Sequence, residues 1–198
     1  MTPPLVRDRE ATKERILQAA FDEFTTRGFA GARVDDIATR AGCNKALLYQ
    51  YYGDKDALFR QVLHCKMARL AEMHLDPAHP EEAAAIAFDF HVQNPWLTRL
   101  MMWEALDVGT GAVANEDERR EHWMRIVEMI RDAQGVGAVD PALDAEQVLF
   151  SLVSLVTMWF AAPQTARLIT GEDPWTPQAL QKRRAHVIEM ARRMLEVR

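Results

Sequence analysis

Apolar residues recur at spacings of three and four along almost the whole of this 198-residue chain, and this period constrains its fold more than any other feature. No segment shows the alternating Val, Ile and Thr pattern, bounded by Asn-Gly or Asp-Gly turns, that is typical of strands. The composition, 48% hydrophobic and 27% charged, is ordinary for a globular protein. The sequence therefore predicts an all-α fold.

Glycine, proline and asparagine divide the chain into its predicted helices. The first runs from about Glu10 to Arg27 and ends at Gly28, which can take a positive φ. Two short helices and a longer one follow, with Asn44 and Asp54 as expected N-caps of the second and third of these. Their predicted spans are 34–41, 45–51 and 55–74. Later helices are predicted over 81–93, 95–108, 117–134, 144–162 and 176–197, with loops between them, including 163–174.

The distribution of charge permits nucleic-acid binding without predicting it. Residues 1–66 hold 11 Lys and Arg against 9 Asp and Glu, whereas residues 67–198 hold 13 against 20, within a net charge of -5. The N-terminal part is thus only slightly basic, and it forms no basic patch of the kind that identifies a nucleic-acid surface by charge alone.

All three tyrosines of the chain fall within four consecutive positions, Tyr49, Tyr51 and Tyr52. On a short helix they cannot all face the core, and an outward phenol can donate to a phosphate oxygen. Lys45 lies in the first turn of the same helix, where the helix dipole disfavours a cation unless an anion approaches, and Lys55 repeats this arrangement in the next helix. Because a helix-turn-helix protein places the start of its second helix in the major groove, residues 44–52 are predicted to contact DNA.

The segment from about residue 10 to residue 60 carries many residue types at fixed spacing: Thr12, Arg15, Ile16, Leu17, Ala19, Ala20, Phe24, Gly28, Phe29, Val34, Ile37, Ala38, Ala41, Gly42, Leu47, Leu48, Tyr49, Tyr51, Tyr52, Lys55, Leu58 and Phe59. With this pattern the segment resembles the tetracycline-repressor (TetR) family. The resemblance implies an N-terminal three-helix helix-turn-helix DNA-binding domain over 1–54 and a larger helical ligand-binding and dimerisation domain over 55–198. It also implies a homodimer whose affinity for double-stranded operator DNA falls when a small molecule binds the C-terminal domain.

The family pattern assigns roles to individual residues of the N-terminal domain. It implies that Lys45, Ala46 and Gln50 approach bases, that Tyr49, Tyr51 and Lys55 contact phosphates, and that Tyr52 belongs to the core. Arg33 stands where the family often has a hydroxyl cap, yet it can still reach a phosphate, and Asn44 keeps the capping ability of the usual Ser or Thr. The expected DNA-binding set is Arg33, Asn44, Lys45, Ala46, Tyr49, Gln50, Tyr51 and Lys55.

The C-terminal part carries no recognised motif, but it is rich in Met and Trp on helices, side chains that suit an adaptable apolar cavity and equally suit an ordinary core. His91 could be a polar group that binds a ligand in such a cavity, or it could be a hydrogen-bonded histidine of an ordinary core. The candidate pocket residues for an apolar or mixed effector are Phe88, His91, Met102, Trp103, Trp123 and Met158. The helix over 144–162, apolar on nearly every face, and the helix over 176–197 are expected to form a four-helix bundle with a second copy.

The chain lacks the residues that an enzyme or a metal-binding protein would need. The chain has only two serines, Ser151 and Ser154, and neither stands in the nucleophile elbow of a serine hydrolase. The run Gly109-x-Gly111-x-x-Ala114 matches the letters of a dinucleotide-binding fingerprint, but it does not follow a predicted strand. No enzymatic activity, metal site or cofactor is therefore predicted, and without a long apolar segment or a secretory signal we expect a cytoplasmic protein that binds no membrane. The alternative function is a helical small-molecule-binding protein with little specific DNA binding.

Overall fold

A computed structural model describes residues 4–67, 79–111, 113 and 115–196. It confirms the all-α prediction, because the described residues form helices and no strand. The helices are α1 (Pro4–Gly31), α2 (Val34–Ala41), α3 (Lys45–Tyr52), α4 (Lys55–Met67), α5 (Pro80–Gln93), α6 (Pro95–Val108), α7 (Glu116–Gly135), α8 (Ala145–Ala161), α9 (Pro163–Thr170) and α10 (Pro177–Leu195).

The prediction of a loop over 163–174 was wrong, because α9 occupies its first half. Pro163 was interpreted as a helix breaker, whereas it stands in the first turn of α9, where its missing N–H costs no hydrogen bond. The helix ends at Gly171, whose φ of 73° suits a left-handed C-cap. The predicted end of α4 near His74 lies outside the described residues.

The described residues divide into two compact units, and one of the division points falls inside α6. Those within 1–72 and 100–116 form the first unit, and those within 73–99 and 117–198 form the second. The boundary at residue 54, drawn where the helix-turn-helix ends, stays a prediction about function. The first unit as defined by packing extends beyond it to α4 and the second half of α6.

The first unit is held together by an apolar core to which each of its helices contributes. Ile16, Phe24, Ile37, Leu48 and Leu58 are fully buried in it, and Leu100 of α6 joins them. Burial of side chains of this size stabilises a fold by about 1.5–3 kcal/mol each relative to exposure. Because α1, α2 and α3 all contribute to this core, it fixes α3 relative to α1 and α2.

Polar contacts reinforce the packing of α1 on α2. The Arg15 guanidinium donates from Nε to the carbonyl oxygen of Ala41, at 3.2 Å, where α2 ends. The buried carboxylate of Glu23 lies 3.1 Å from Arg27 Nη1 and 3.6 Å from Arg40 Nη2. A buried carboxylate needs such cations, because its desolvation would otherwise destabilise the unit.

Gly28 allows α1 to turn and lets an aromatic ring approach its backbone. Its φ is 70° and its ψ is 175°, so the helical run of α1 is kinked there, and the predicted helix end at this residue corresponds to the kink. The indole of Trp103, on α6, lies so close that a β-carbon at residue 28 would be 2.5 Å from its Cδ2 atom. Glycine is required at this position for both reasons.

The second unit is built on α5, which packs against α8 and α10. Its buried core includes Phe88, Val127, Val156, Phe160 and Val187. An ion pair fastens α10 to α5, because the Arg184 guanidinium donates to both carboxylate oxygens of Asp89, at 2.7 and 2.8 Å. Two parallel bonds of this kind fix orientation as well as distance.

Candidate nucleic-acid interface

The second helix of the helix-turn-helix, α3, is fixed at one side and at its start. Leu48 is fully buried in the core of the first unit. The Asn44 side-chain oxygen accepts a hydrogen bond from the Leu47 N–H at 2.8 Å, so the predicted N-cap is confirmed. The turn before it is closed by Gly42, with φ 66° and ψ 36°, whose N–H bonds to the end of α2. These contacts determine which face of α3 is left in solvent.

The outward face of α3 holds four of the residues expected to contact DNA. Lys45, Ala46, Tyr49 and Gln50 are all exposed, and Asn44 is exposed at the helix start. Their spacing of one, four and five positions places them on one side of a helix with 3.6 residues per turn. The Tyr49 side chain, 39% exposed, therefore points outward as an aromatic with a free edge.

Tyr51 and Tyr52 turn back toward the protein. Tyr52 is half-buried, its hydroxyl donates to the carbonyl oxygen of Lys13 at 3.0 Å, and burial raises the pKa of its phenol to about 12. Tyr51 is half-buried and packs against the core, with the Arg9 guanidinium 5.5 Å from its ring centre. The expectation that the three phenols cannot all face the core is thus met, because Tyr49 is exposed while Tyr51 and Tyr52 are half-buried.

The two remaining cationic residues of the expected DNA-binding set, Arg33 before α2 and Lys55 at the start of α4, differ in exposure. Arg33 is exposed at the start of α2, in an extended conformation, and its side chain makes no capping hydrogen bond. Lys55 is half-buried, and its Nζ atom lies 4.7 Å from the centre of the Phe29 ring. The Asp54 cap predicted before it is confirmed by the hydrogen bond that Asp54 Oδ1 accepts from the Ala57 N–H, at 2.7 Å.

A carboxylate that the sequence analysis did not consider lies beside Lys45. Lys45 Nζ is 3.1 Å from Asp35 Oδ1 and 6.0 Å from the centre of the Tyr49 ring. The hydrogen bond and the charge of Asp35 raise the pKa of Lys45. Asp35 lies ten positions earlier on another helix, so no local pattern indicates this pair, although its place in the first turn of α2 is visible in the sequence.

The structure brings together two of the six residues proposed to line a pocket. Phe88 and His91 are buried in the second unit, and the ring of Phe160 lies 5.1 Å from the first and 5.3 Å from the second. The Nδ1 atom of His91 is 3.2 Å from Thr98 Oγ1. Burial lowers the pKa of His91 to about 4, so this histidine is a neutral, hydrogen-bonded group in the core.

The other four candidates differ in exposure and in the unit to which they belong. Met158 is exposed on α8, and two positions along a helix separate it by about 200° from the buried Phe160. Trp123, on α7, is half-buried, with its ring 5.4 Å from that of His122. Met102 and Trp103 belong to the first unit. The pocket over all six residues stays a prediction.

In the described part of the chain, no single helix is both long and apolar enough to cross a bilayer. Only α8 and α9 taken together would be, and the two are bent by 86° relative to each other. Within the same residues, no group of three or more His, Cys, Asp or Glu side chains could hold a metal ion.

Comparisons with known proteins cover both units. Residues 16–62 match the family of bacterial regulatory proteins named tetR, and residues 80–193 match the Tetracyclin repressor-like C-terminal domain. The HTH-type transcriptional repressor SCO4008 of Streptomyces coelicolor is 43% identical over 166 residues, which are 83% of this chain and 86% of that protein. The HTH-type transcriptional repressor NicS of Pseudomonas putida is 32% identical, over 70% of this chain and 64% of its own.

Solved structures share the fold. The crystal structure of SCO4942 from Streptomyces coelicolor covers 93% of this chain and 98% of its own, with a TM-score of 0.79 and 31% identity. The regulator FadR from Bacillus subtilis, solved in complex with stearoyl-CoA, covers 92% and 99% with a TM-score of 0.67 and 14% identity, a likeness of fold alone. With both domain families matched and a close relative over most of its length, this chain belongs to the TetR family of DNA-binding transcriptional regulators.

Proposed function

We propose that this protein is a homodimeric repressor that binds a near-palindromic operator and leaves it when a small molecule binds the C-terminal domain. The observation that carries the proposal is the outward face of α3. Leu48 and the Asn44 cap fix the helix, so Lys45, Ala46, Tyr49 and Gln50 face solvent together. A rigidly mounted face of this width suits the major groove, which admits one α-helix.

The residues of this face differ in the part of DNA that they suit. Lys45 can donate to the acceptors on a guanine edge, Gln50 can form two bonds with adenine, and Ala46 can contact a thymine methyl group. The Tyr49 hydroxyl and the exposed Arg33 are suited to phosphate oxygens. Tyr51 and Lys55 complete the proposed phosphate set, and both must extend from the half-buried positions that they occupy in the structure.

The release step is supported by the family membership and by the chain order. The C-terminal match is to a Tetracyclin repressor-like domain, and α4 leads directly out of the helix-turn-helix. An effector that favours one separation of the two copies of α3 would change operator affinity, and a coupling of about 1–3 kcal/mol, or roughly 5- to 150-fold, suffices. We propose an apolar or mixed effector, with His91 and Thr98 as the polar group nearest to the buried aromatic rings.

Binding to DNA selected by the protein itself tests the proposal. A duplex is enriched from a random pool, and its affinity is compared with that of a scrambled duplex at several salt concentrations. A specific regulator keeps its preference as salt rises, whereas the alternative, a small-molecule carrier, shows none. Lys45→Ala should weaken operator binding, while Arg131→Ala, which removes one charge from an exposed site on α7, should leave it unchanged.

The effector step has its own test. Small aromatic and aliphatic compounds are screened for those that raise the melting temperature of the protein, because a ligand of the folded state stabilises it. Each such compound is then added to the operator complex. Lower operator affinity supports the release step, and unchanged affinity for every stabilising compound contradicts it in favour of a ligand-independent regulator.

A further inference from the structure

The ion pair between Asp35 and Lys45 joins the two helices of the helix-turn-helix on their solvent side. Lys45 Nζ lies 3.1 Å from Asp35 Oδ1 and donates a hydrogen bond to Oδ2 at 3.2 Å. The Lys45 side chain is 47% exposed and the Asp35 side chain is 71% exposed. Asp35 belongs to the first turn of α2 and Lys45 to the first turn of α3, the turn that is expected to enter the major groove.

The stability of the fold gives little reason for this pair. An exposed pair of this kind contributes about 0–1 kcal/mol. The helix dipole favours an acidic residue in the first turn of α2, but Asp36 satisfies that preference too. Asp36 pairs with Arg27 of α1 at 3.0 Å, whereas Asp35 pairs with Lys45, one of the residues that the proposed function places at the bases.

A carboxylate at a DNA-binding face has a definite electrostatic effect. Non-specific affinity comes almost entirely from cations that neutralise phosphates and release counterions. A lysine that is paired with a carboxylate forms a neutral pair with it, so the lysine contributes little to non-specific DNA affinity. The same lysine contributes to specific binding only where a base edge offers acceptors that replace the lost pair, as O6 and N7 of guanine do.

We propose that Asp35 is a specificity-determining residue that acts through Lys45: it withholds the lysine from phosphates on non-operator DNA and yields it to base-edge acceptors on the operator. The proposal rests on the proposed function, since it needs α3 to bind DNA. Asp35 positions and neutralises Lys45, and it controls the selectivity of DNA binding more than the affinity.

The variant Asp35→Asn removes the charge and keeps the size of the side chain. The freed lysine should add about one phosphate contact per subunit, so the slope of log affinity against log salt should steepen by about 0.9 for each. We expect non-operator affinity to rise roughly 3- to 10-fold at low salt, with a smaller change on the selected operator. The ratio of operator to scrambled-duplex affinity should therefore fall.

Two controls separate this effect from a general change of charge. Asp36→Asn makes the same charge change one position along, yet Arg27 keeps the Glu23 carboxylate at 3.1 Å, so no cation is freed. It should leave the salt slope unchanged. In a Lys45→Gln background, Asp35→Asn should have no further effect on slope or ratio, because the residue through which Asp35 acts is gone.

The possible outcomes are distinct. An unchanged ratio and slope in Asp35→Asn, or equal effects in Asp36→Asn, overturns the inference. If Asp35→Asn lowers the melting temperature, Asp35→Ala and Asp35→Ser are measured in its place, and the better folded of them decides. If the unsubstituted protein itself does not distinguish the selected duplex from the scrambled one, the proposed function fails, which is a different result from a regulator that keeps its selectivity without Asp35.

Discussion

His91 is a buried titratable residue whose environment favours its neutral form. Only 7% of it is exposed, its ring stacks with Phe160, and Thr98 supplies a hydrogen-bonding partner. Burial lowers its pKa from the ordinary 6.5 to about 4. Charging the ring would place an imidazolium in an apolar core, which the uncharged aromatic neighbours cannot compensate.

The titration of His91 gives a pH-dependent contribution to stability. Because the folded-state pKa lies below the unfolded-state value, the unfolded chain binds the proton first, and stability is full above about pH 6.5 and falls as the pH drops toward 4. Between about pH 7 and about pH 5 the loss should be roughly 2 kcal/mol. Unfolding by urea at both pH values measures it, and NMR of the ring should give a midpoint near 4.

His91→Gln is the matched variant, because glutamine can hydrogen-bond to Thr98 and does not titrate in this range. It should lose less stability than the unsubstituted protein over the same pH interval. An equal loss in both proteins, or a ring that titrates at its ordinary pKa, would contradict the burial argument.

The residues around the candidate sites differ in how far the sequence predicts them. Asn44 and Asp54 are identifiable because a cap is defined by positions only three apart. Asp35 and Lys45 are ten apart on different helices, and His91 meets Phe160 from across the unit. Such contacts depend on how helices pack, and a local pattern contains no information about this. The sequence therefore predicted Lys45 and His91 as site residues but did not predict Asp35 and Phe160 as their partners.

The helix α3 combines a stable start with an exposed face. The Asn44 side chain satisfies the Leu47 N–H, one of the donors that the first turn of a helix leaves without an intrahelical partner. The first turn also holds Lys45 and Ala46. A loss of the cap should therefore disorder the part of the helix expected to contact bases before it affects Leu48.

Asn44→Ala should cost about 1 kcal/mol of stability and weaken operator binding. Asn44→Ser restores a capping oxygen, so it should recover much of both losses, as measured by thermal unfolding and by titration with the selected duplex. The comparison variant is Asp54→Ala, which removes an equivalent cap from α4. If it weakens operator binding as much as Asn44→Ala does, general destabilisation and not α3 is responsible.

Helices with clear starts and ends were predictable, whereas α9, which begins at Pro163, was not. The predicted span of α2 is the observed one, because Gly42 ends it with a left-handed conformation. The helix α9 was missed because Pro163 and Pro174 bound a short polar segment that looks like a loop. Ala166 of this helix is buried in the structure, and a local pattern does not reveal that burial.

At the scale of the whole molecule, large apolar side chains remain exposed on α8 and α9. Phe150 and Met158 are 70% and 55% exposed on α8, and Leu168 and Ile169 are 81% and 79% exposed on α9. Apolar groups clustered on neighbouring helices are typical of a surface that a partner covers. They support the proposed use of 144–162 in a homodimer, and we propose that α9 also contributes to it.

Phe150→Glu should convert the proposed dimer to a monomer. Placing a carboxylate against an apolar partner surface costs about 3 kcal/mol or more, which raises the dimer dissociation constant roughly 100-fold. Sedimentation velocity at low micromolar concentration measures the change. Operator affinity should fall with it, because a near-palindromic site is bound by two copies of α3 together and a monomer reaches one half-site.

Leu106→Glu is the control for Phe150→Glu. Leu106 is 73% exposed on α6, in the first unit and outside the helices proposed to dimerise, so the same charge there should leave a dimer with normal operator affinity. A Phe150→Glu protein that stays dimeric would place the interface elsewhere. A monomeric unsubstituted protein would reject the dimer itself, and with it the requirement for a two-fold operator, because only a symmetric pair of α3 helices imposes that symmetry on DNA.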